Sequence, residues 1–315
     1  MIKAGVVGVG MMGQHHARIY SKLDCELVGV VDKNLELARR IGTKYQTNYF
    51  EDYKKLLDKV NVVSIAVPTS LHKQVAIDFI RNGVHCLVEK PIAATIKEAR
   101  EMVSEAHEHD VKLMVGHIER FNPAVLKLKE IIENGELGNL ILISTRRVGP
   151  FVSRIRDVGI IIDSATHDID VARYFIGREP LRVFAKSGRI KHEKEDYAII
   201  VLDFGNVAAS IEVNWFTPHK VRSLVATGTG GIAYLDYIKQ KLEVYTSEKK
   251  IVPYIEKEEP LKLEIEHFLD CVKKDKEPLV DGWEGLRVLK IAFAAQMKSR
   301  AYDALRNTFK VASHT

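Results

Sequence analysis

The chain has 315 residues, 46% hydrophobic and 28% charged, a composition typical of a globular protein long enough for two hydrophobic cores. The formal net charge is +5, and charges of both signs are mixed along the chain, which argues against a nucleic-acid-binding protein. No apolar run approaches the roughly 18 residues of a membrane span, and no signal-peptide region follows the N-terminus, so no membrane partner is expected.

The cysteines give no indication of cross-links or metal binding. There are three of them, Cys25, Cys86 and Cys271, and they lie far apart. None forms a Cys-x-x-Cys pair, so neither a disulfide framework nor a zinc site is expected. The sequence therefore predicts that the protein has no metal site. It also predicts that the protein works in a reducing compartment, the cytoplasm.

The N-terminal segment places a glycine-rich motif between a predicted strand and a predicted helix. The apolar run 2–7 is followed at once by Gly8-Val9-Gly10-Met11-Met12-Gly13, and a helical pattern begins at Gln14. A second apolar run ends in Asp32, about 20 residues beyond the third glycine. The dinucleotide-binding fingerprint consists of a strand, the motif G-x-G-x-x-G, a helix, a second strand and an acidic residue. All five are present here in the required order. A glycine-rich turn without a ligand is the alternative, and the position of Asp32 argues against it.

Each glycine of this motif has a mechanical task in holding a dinucleotide. Gly8 allows the tight turn, Gly10 lets the pyrophosphate approach the backbone, and Gly13 lets the helix pack close to the strand. The N-terminus of the helix that follows supplies N–H donors and a positive dipole end for the phosphates.

The choice of cofactor depends on the end of the second strand. The Asp32 carboxylate can accept a hydrogen bond from a ribose 2′-OH and repels a 2′-phosphate, which favours NAD. Lys33 keeps NADP as the alternative, because a cation there can pair with that phosphate. The sequence therefore predicts NAD as the cofactor, with NADP possible.

Predicted strands and helices continue to alternate up to residue 116, which indicates a parallel sheet with helices on both faces. Two loops, Pro68-Thr69-Ser70 and Glu89-Lys90-Pro91, follow predicted strands, and ligands bind at this edge of such sheets. His72 lies just beyond the first loop as a further cofactor contact or a surface histidine. Predicted helices span 34–44, 52–57, 71–82 and 96–109, and predicted strands span 62–67, 84–88 and 113–116.

Lys90 is the most unusual residue of these loops, because it ends a buried apolar run. Lysine is almost never fully buried without a partner, so Lys90 either reaches solvent or faces a cleft. Pro91 restricts Lys90 to extended or turn geometry. On residue types alone, a solvent-exposed lysine is favoured; the neighbouring motifs favour a functional one.

The pattern changes near residue 120, and we place the domain boundary there. Asn122 and Pro123 predict the cap and first turn of a helix that ends at Asn134-Gly135. Successive alternating strands then indicate an antiparallel sheet, so the prediction is a dinucleotide-binding domain, 1–121, and an α+β substrate-binding domain, 122–315. The predicted strands are 140–147, 181–187, 197–204, 207–215, 223–226, 232–236 and 242–245, and two helices, 261–274 and 283–306, complete the chain.

A second group of chemically active side chains lies in the run 157–177. If this run is helical, Asp163, His167 and Asp170 share one face. Carboxylates beside an imidazole can orient it and fix its tautomer, as a general base requires. The alternative is that Asp163 caps the helix and His167 is an ordinary, partly buried histidine.

Together, the motif Gly8–Gly13, Glu89-Lys90-Pro91 and Asp163-x-x-x-His167 resemble the glucose–fructose oxidoreductase, inositol dehydrogenase and rhizopine-catabolism family over the whole chain. The resemblance implies a Rossmann domain followed by a large, mostly antiparallel open sheet that forms a homodimer or homotetramer. It also implies that Lys90, Asp163 and His167 form the active site. The run Ile160-Ile161-Ile162 departs from the family, since many members have glycine-rich sequence there.

Within this family, the segments 115–123 and 147–150 resemble the nucleotide-sugar 3-dehydrogenases. Four arginines, Arg146, Arg147, Arg154 and Arg156, fall close together, and arginine suits bidentate contacts to phosphate or carboxylate. A solvated basic loop explains them equally well, and strand alternation lets at most one of Arg146 and Arg147 face a given cleft. The residues predicted to contact substrate are Arg120, Asn122, Arg147, Arg154, Arg156, Asp163 and His167.

The resemblance implies an NAD(P)-dependent dehydrogenase that oxidises a secondary hydroxyl of a sugar, at C3 of a UDP-linked N-acetylamino sugar. His167 would take the hydroxyl proton, Lys90 would stabilise the developing alkoxide, and Asp163 would hold one of them in place. A dehydrogenase of free polyols, of the inositol type, is the first alternative. A catalytically silent, dinucleotide-sensing regulator is the second, although a sensor has no need of a proton acceptor. The predicted cofactor contacts are Gly8, Gly10, Met11, Met12, Gly13, Asp32, Lys33, Pro68, Thr69, His72, Glu89 and Lys90.

Overall fold

The computed structural model describes residues 1–151 and 158–312, and for residues 301–312 it describes the helical backbone alone. The chain divides into two compact units. Met1–Ile118 and Glu259–Arg287 form the first unit, and Glu119–Glu258 and Val288–Thr315 form the second.

The first unit contains a six-stranded parallel sheet in the order β3-β2-β1-β4-β5-β6, the strand order of dinucleotide-binding folds. Its central strands are short apolar runs that are buried on both faces, as strands covered by helices must be. The strands are β1 (Lys3–Val7), β2 (Glu26–Val31), β3 (Asn48–Phe50), β4 (Val62–Ile65), β5 (His85–Val88) and β6 (Leu113–Val115). The helices are α1 (Met11–Tyr20), α2 (Leu35–Lys44), α3 (His72–Ile80) and α4 (Ile96–Glu108).

The second unit contains an eight-stranded sheet in the order β14-β13-β12-β11-β7-β10-β9-β8. All of its neighbouring strands are antiparallel except β7 and β10, which are parallel. The strands are β7 (Leu140–Pro150), β8 (Arg182–Gly188), β9 (Tyr197–Asp203), β10 (Ala208–Asn214), β11 (Phe216–Gly228), β12 (Gly231–Asp236), β13 (Lys241–Thr246) and β14 (Lys250–Ile251). The remaining helices are α5 (Pro123–Glu133), α6 (Thr166–Ile176), α7 (Pro260–Lys274) and α8 (Gly282–Ala312). The predicted fold class, a Rossmann domain and a mostly antiparallel α+β domain, is confirmed.

The strands of this second sheet alternate between buried and exposed residues, so one face packs on a core and the other does not. The core face is lined by aliphatic side chains, among them Ile143, Ile200 and Ile211. Phe184, Ile199 and Tyr234 are exposed instead. A broad, partly apolar sheet face is therefore left uncovered by the described residues of this chain.

The chain returns to the first unit after the second sheet. The change of pattern near residue 120 predicts that residues 122–315 belong to the second domain, whereas Glu259–Arg287 packs within the first unit. The physical reason is α7, which lies against α1 and buries Ile265 and Phe268. Ion pairs from Glu259 to Arg18 and from Lys273 to Asp24 hold both ends of α7. The functional labels of the two domains stay predictions.

Candidate active site

The candidate residues of the first unit follow four neighbouring strands at one edge of the sheet. Val7, Val31, Ile65 and Val88, the last residues of β1, β2, β4 and β5, lie side by side in the sheet register. The glycine-rich turn, Asp32, the loop at Pro68 and the Glu89-Lys90-Pro91 loop begin directly after these strands. Parallel strands therefore bring together four segments that are far apart in sequence, at the edge where such sheets bind ligands.

The glycine-rich turn has the shape that a pyrophosphate requires. Gly8 has a φ of +84°, and a Cβ atom at Gly13 would lie 1.7 Å from the carbonyl oxygen of Gly8, so both positions require glycine for internal reasons. A Cβ atom at Gly10, in contrast, would meet nothing within 4 Å. The chain itself does not need a glycine at position 10, and an incoming phosphate group does, so these residues fit a dinucleotide.

Asp32 closes this turn from the end of β2. Its Oδ2 accepts a hydrogen bond from the Val9 amide at 2.9 Å, and its Oδ1 accepts one from the Asn34 amide at 2.9 Å. A carboxylate has about four acceptor positions, so capacity for a ribose hydroxyl remains. Met11 and Lys33 are exposed beside this turn.

We expect Asp32→Ala to weaken NAD binding by about 10- to 100-fold, because a hydrogen bond to a charged group contributes about 1.5–3 kcal/mol. The preference for NAD over NADP should also fall, since the carboxylate that repels a 2′-phosphate is lost. Calorimetric titration of both cofactors measures the effect. Asp58→Ala, at an exposed aspartate of the same unit outside the proposed cofactor contacts, is the control. Equal affinities of wild type and Asp32→Ala would remove Asp32 from the cofactor site.

Lys90 lies in the loop after β5, is partly buried, and is joined to Pro91 by a cis peptide bond. Its own amide donates to Glu89 Oε2 at 3.3 Å. Burial alone raises the pKa of Glu89, but the hydrogen bond from His16 and the charges of His16 and Lys90 bring the pKa below its usual value. Glu89 is therefore an ionised carboxylate next to the Lys90 ammonium.

His72 faces the protein itself. Its side chain is buried, Nδ1 lies 2.9 Å from the Pro91 carbonyl oxygen, and Nε2 lies 2.9 Å from the Val67 carbonyl oxygen. Burial lowers the pKa of His72. The contacts described for this ring therefore tie the loop after β4 to the loop after β5, and a direct contact with a cofactor stays a prediction.

His16 is a buried residue that the sequence analysis does not single out. Its Nε2 lies 2.9 Å from Glu89 Oε1, and its Nδ1 lies 3.0 Å from the Ser64 hydroxyl. Ser64 in turn lies 3.0 Å from the Tyr20 hydroxyl. A sequence signal was present, because Gly13, His16 and Tyr20 recur at helical spacing on the buried side of α1.

In the second unit, Asp163 and His167 are both partly buried and lie where a π-helical turn, Ile161–Ala165, runs into α6. The Ser164 hydroxyl donates to Asp163 Oδ2 at 2.9 Å. Asp170, expected on the same face, is instead fully buried and bound to Arg120. The structure therefore leaves Asp163 and His167, without Asp170, as the partly accessible acid and imidazole of this segment.

Three residues predicted to contact substrate are occupied inside the second unit. The Arg120 guanidinium binds both oxygens of Asp170 at 2.6–3.0 Å, and it is buried. Asn122 caps α5 by accepting from the Ala124 amide at 3.1 Å and is also buried. Arg147 is also buried, and its guanidinium nitrogens form ion pairs with carboxylate oxygens of Asp168 at 2.8 Å and Glu119 at 3.0 Å. Burial and these internal partners leave the three side chains little surface to offer a ligand.

Arg222 is a more exposed cation that sequence reasoning missed. It pairs with Arg147 across β11 and β7, so the two side chains share one face of the sheet, and it lies 4.0 Å from Glu119. Its side chain is 44% exposed. Burial and the charge of Arg147 lower the pKa of Arg222, against the opposing charges of Glu119, Asp168 and Asp163. Arg222 is thus an accessible cation beside the buried ion pairs of Arg147, and nothing in the strand pattern marks it.

Arg154 and Arg156 lie outside the described residues. Among the described residues, no group of three or more His, Cys, Asp or Glu side chains is arranged to hold a metal ion. The three cysteines are free thiols. No helix in the described part of the chain is long and apolar enough to cross a bilayer.

Comparison with known proteins gives relatives along nearly the whole chain. The chain is 30% identical over 312 residues to UDP-N-acetylglucosamine 3-dehydrogenase of Acidithiobacillus ferrooxidans, covering 96% of this chain and 98% of the relative. It is 30% identical over 322 residues to scyllo-inositol 2-dehydrogenase (NAD(+)) of Bacillus subtilis, covering 93% of each. A solved structure of the Acidithiobacillus enzyme superposes with a TM-score of 0.90 at 29% identity, over 96% of this chain and 98% of that one.

Family models match both units. Residues 2–117 match the oxidoreductase family with an NAD-binding Rossmann fold, and residues 125–234 match the GFO/IDH/MocA C-terminal domain. The two matches cover well over half of the chain, and the first agrees with the glycine turn and Asp32 described above. The resemblance inferred from the motifs is confirmed, and NAD is the cofactor of the first unit. The chain belongs to the GFO/IDH/MocA family of oxidoreductases.

Proposed function

We propose that the protein oxidises a secondary hydroxyl of a sugar to the ketone, at C3 of a UDP-linked N-acetylamino sugar. The observation on this chain that supports an anionic substrate is Arg222, a cation that is 44% exposed on the sheet face it shares with Arg147. The similarity to UDP-N-acetylglucosamine 3-dehydrogenase over nearly the whole length of both chains supports the identity of the sugar.

Lys90, Asp163 and His167 are the residues to which we assign the chemistry. The imidazole of His167 takes the proton of the reacting hydroxyl as general base. The Lys90 ammonium donates a hydrogen bond to the same oxygen and stabilises the negative charge that develops there. Asp163 holds the His167 ring or the Lys90 ammonium in position. When bound, NAD accepts the hydride that leaves the carbinol carbon.

NAD would be held by the turn Gly8–Gly13 and by Asp32. The backbone at Gly10 and the N-terminus of α1, from Met11 and Met12, offer amide groups to the phosphates. The proposed set of cofactor contacts is completed by Lys33, Pro68, Thr69, His72, Glu89 and Lys90.

A free polyol is the second candidate substrate. The specific observation in its favour is that the chain is as similar to scyllo-inositol 2-dehydrogenase as to the nucleotide-sugar enzyme, at 30% identity. A polyol carries no charge, so Arg222 would then have no substrate partner.

Turnover with UDP-N-acetylglucosamine, scyllo-inositol and myo-inositol, each with NAD and with NADP, distinguishes these candidates through the absorbance of the reduced cofactor. We expect reduction of NAD with the nucleotide sugar and little with the free polyols. Turnover of a polyol alone would replace the proposed substrate. Absence of turnover with every sugar, in protein that binds NAD, would favour a dinucleotide-sensing regulator.

Arg222→Met should raise the KM for the nucleotide sugar by about 10- to 100-fold, because a charge-assisted hydrogen bond contributes about 1.5–3 kcal/mol. The affinity for NAD should stay unchanged. Arg146→Met is the matched control, since Arg146 lies on the same sheet, is exposed, and pairs with Glu212. Arg154→Ala and Arg156→Ala, at two further residues predicted to contact substrate, should raise this KM in the same way. If KM is unchanged in all three variants, the anionic part of the substrate is held elsewhere.

The uncovered face of the second sheet, with Phe184, Ile199 and Tyr234, supports a homodimer or homotetramer formed through that sheet. Size-exclusion chromatography with light scattering tests this assignment. The free thiols of all three cysteines agree with a protein of the reducing cytoplasm.

A further inference from the structure

Two buried histidines hold the residues on either side of Lys90. His16 reaches Glu89, the residue before Lys90, and His72 reaches the carbonyl oxygen of Pro91, the residue after it. Both imidazole rings are only 1% exposed. The two histidines come from different helices, α1 and α3, so the Lys90 loop is tied at both ends to the helices of the first unit.

The tie through His16 is a fully satisfied chain of hydrogen bonds. Because an ionised carboxylate only accepts, His16 Nε2 must carry the hydrogen that reaches Glu89. Nδ1 of the same ring lies 3.0 Å from the Ser64 hydroxyl, which in turn lies 3.0 Å from the Tyr20 hydroxyl, so the chain of polar contacts runs from Glu89 to Tyr20. Ser64 belongs to the buried strand β4, so Glu89 is fixed to the centre of the sheet.

The tie through His72 connects the two ligand-edge loops to each other. Both of its ring nitrogens face carbonyl oxygens, and a neutral ring can donate to only one of them. A hydrogen on Nδ1 would hold Pro91, and a hydrogen on Nε2 would hold Val67. Since Pro91 is adjacent to Lys90, the first tautomer fixes the catalytic loop itself.

We propose that His16 and His72 are positioning residues that fix Glu89 and Pro91 and thereby set the place of the Lys90 ammonium. The inference rests on the role of Lys90 in the proposed function. It assigns a task in the reaction to two buried side chains whose described hydrogen-bond partners all belong to the protein itself. A misplacement of about 1 Å at a reacting group can cost about 100-fold in rate, so these ties should be visible in kcat.

Substitution by asparagine or glutamine tests the two ring nitrogens one at a time. The side-chain amide of asparagine takes the place of Nδ1, and that of glutamine takes the place of Nε2. At position 16, glutamine keeps the bond to Glu89 and asparagine keeps only the bond to Ser64. At position 72, asparagine keeps the bond to Pro91 and glutamine keeps only the bond to Val67. The order of activity should therefore be Gln above Asn at position 16 and Asn above Gln at position 72. A general loss of stability has no reason to invert the order between the two sites.

Two measurements on the NAD-bound protein test whether His16 and His72 position the Lys90 loop. Hydrogen–deuterium exchange of the amides from 88 to 92 reports whether the loop is held and needs no substrate. We expect faster exchange in His16→Asn and His72→Gln than in His16→Gln and His72→Asn. Steady-state kinetics with the sugar that the protein turns over should show kcat reduced by about 10- to 100-fold in the first pair, with partial recovery in the second pair and little change in KM. His15→Asn, at the exposed neighbour of His16 on α1, is the matched control.

Equal exchange of residues 88–92 in wild type and all four variants would overturn the proposal, because the loop would then not depend on either ring. Faster exchange with unchanged kcat would also overturn it and leave the histidines a purely structural role. Lys90→Ala, measured in the same assay, separates these results from a failure of the proposed function. If Lys90→Ala retains turnover, the assignment of Lys90 is at fault; if it is inactive, the outcome concerns His16 and His72 alone.

Discussion

His167→Ala should lower kcat by about 10²- to 10⁴-fold, the usual contribution of a positioned general base. His167 is partly buried near the start of α6, four residues after Asp163, on a helix most of whose residues are buried. Such a position restricts the motion of the ring and leaves part of it accessible, as proton transfer from a substrate requires. Affinity for NAD should be unchanged, because the glycine turn and Asp32 belong to the other unit.

Lys90→Ala should have a similar effect for a different reason. Removal of one preorganised donor to a developing oxyanion typically costs about 10²- to 10³-fold in kcat. Glu89, a carboxylate that is 11% exposed, would keep the contact with His16 and lose the neighbouring positive charge of Lys90. Thermal unfolding of Lys90→Ala shows whether this change also reduces stability.

Single-turnover hydride transfer and NAD affinity should be measured on the same preparations of both variants. Lys97→Ala and His219→Ala, at exposed positions of the first and second unit, are the controls for the residue types. Near-normal hydride transfer in either active-site variant would contradict the mechanism. For Lys90, it would favour the solvent-exposed strand end that residue types alone suggest.

The first sheet could be predicted because local sequence patterns specify its strands, turns and helices. Its strands are short apolar runs, its turns contain glycine or proline, and its helices have caps such as Asn34 and Thr95, so each segment is specified by nearby residues. The missed strands, β3 and β14, are three and two residues long. Strands this short exist because a neighbour pairs with them, and no local pattern indicates that neighbour. The parallel pair β7 and β10 and the return of α7 to the first unit are likewise decided by tertiary packing.

The same contrast between neighbouring and distant contacts explains which residues of the candidate site could be predicted from the sequence. The glycine motif, Asp32 and the Lys90 loop could be identified because their chemistry is set by residues next to one another. Arg120 and Arg147 are predicted to contact substrate because their segments resemble the nucleotide-sugar 3-dehydrogenases, whereas their partners, Asp170 and Asp168, lie 50 and 21 residues away. Sequence alone does not show that these carboxylates are buried beside them.

The turn before α6 shows a second limit of sequence patterns. Helical periodicity places Asp163, His167 and Asp170 on one face only if every turn is α-helical. A π-helical turn, Ile161–Ala165, precedes α6 and shifts Asp163 relative to the residues that follow. Such turns occur frequently at functional sites, and here the buried run Ile160-Ile161-Ile162 anchors one side of it.

The internal arginine of the second unit gives the largest expected effect on stability. Arg147→Met should lower the free energy of unfolding by about 3–5 kcal/mol, the usual cost of removing one partner of a buried ion pair. Arg147 is 6% exposed and Asp168 is 1% exposed. All described side-chain hydrogen bonds of Asp168 come from Arg147, so the variant leaves this carboxylate buried without them.

Urea unfolding followed by circular dichroism measures the loss, and the neighbouring residue provides the control. Arg146 lies on the opposite face of β7, its side chain is 51% exposed, and it pairs with Glu212 at 3.0 Å. Arg146→Met should therefore cost at most about 1 kcal/mol, as surface ion pairs do. Adding Asp168→Asn to Arg147→Met should recover part of the loss, because the stranded charge is removed. If Arg147→Met keeps wild-type stability and instead raises the KM for the nucleotide sugar, Arg147 contacts substrate, and the internal network of Arg147, Asp168 and Glu119 is not what holds this part of the sheet.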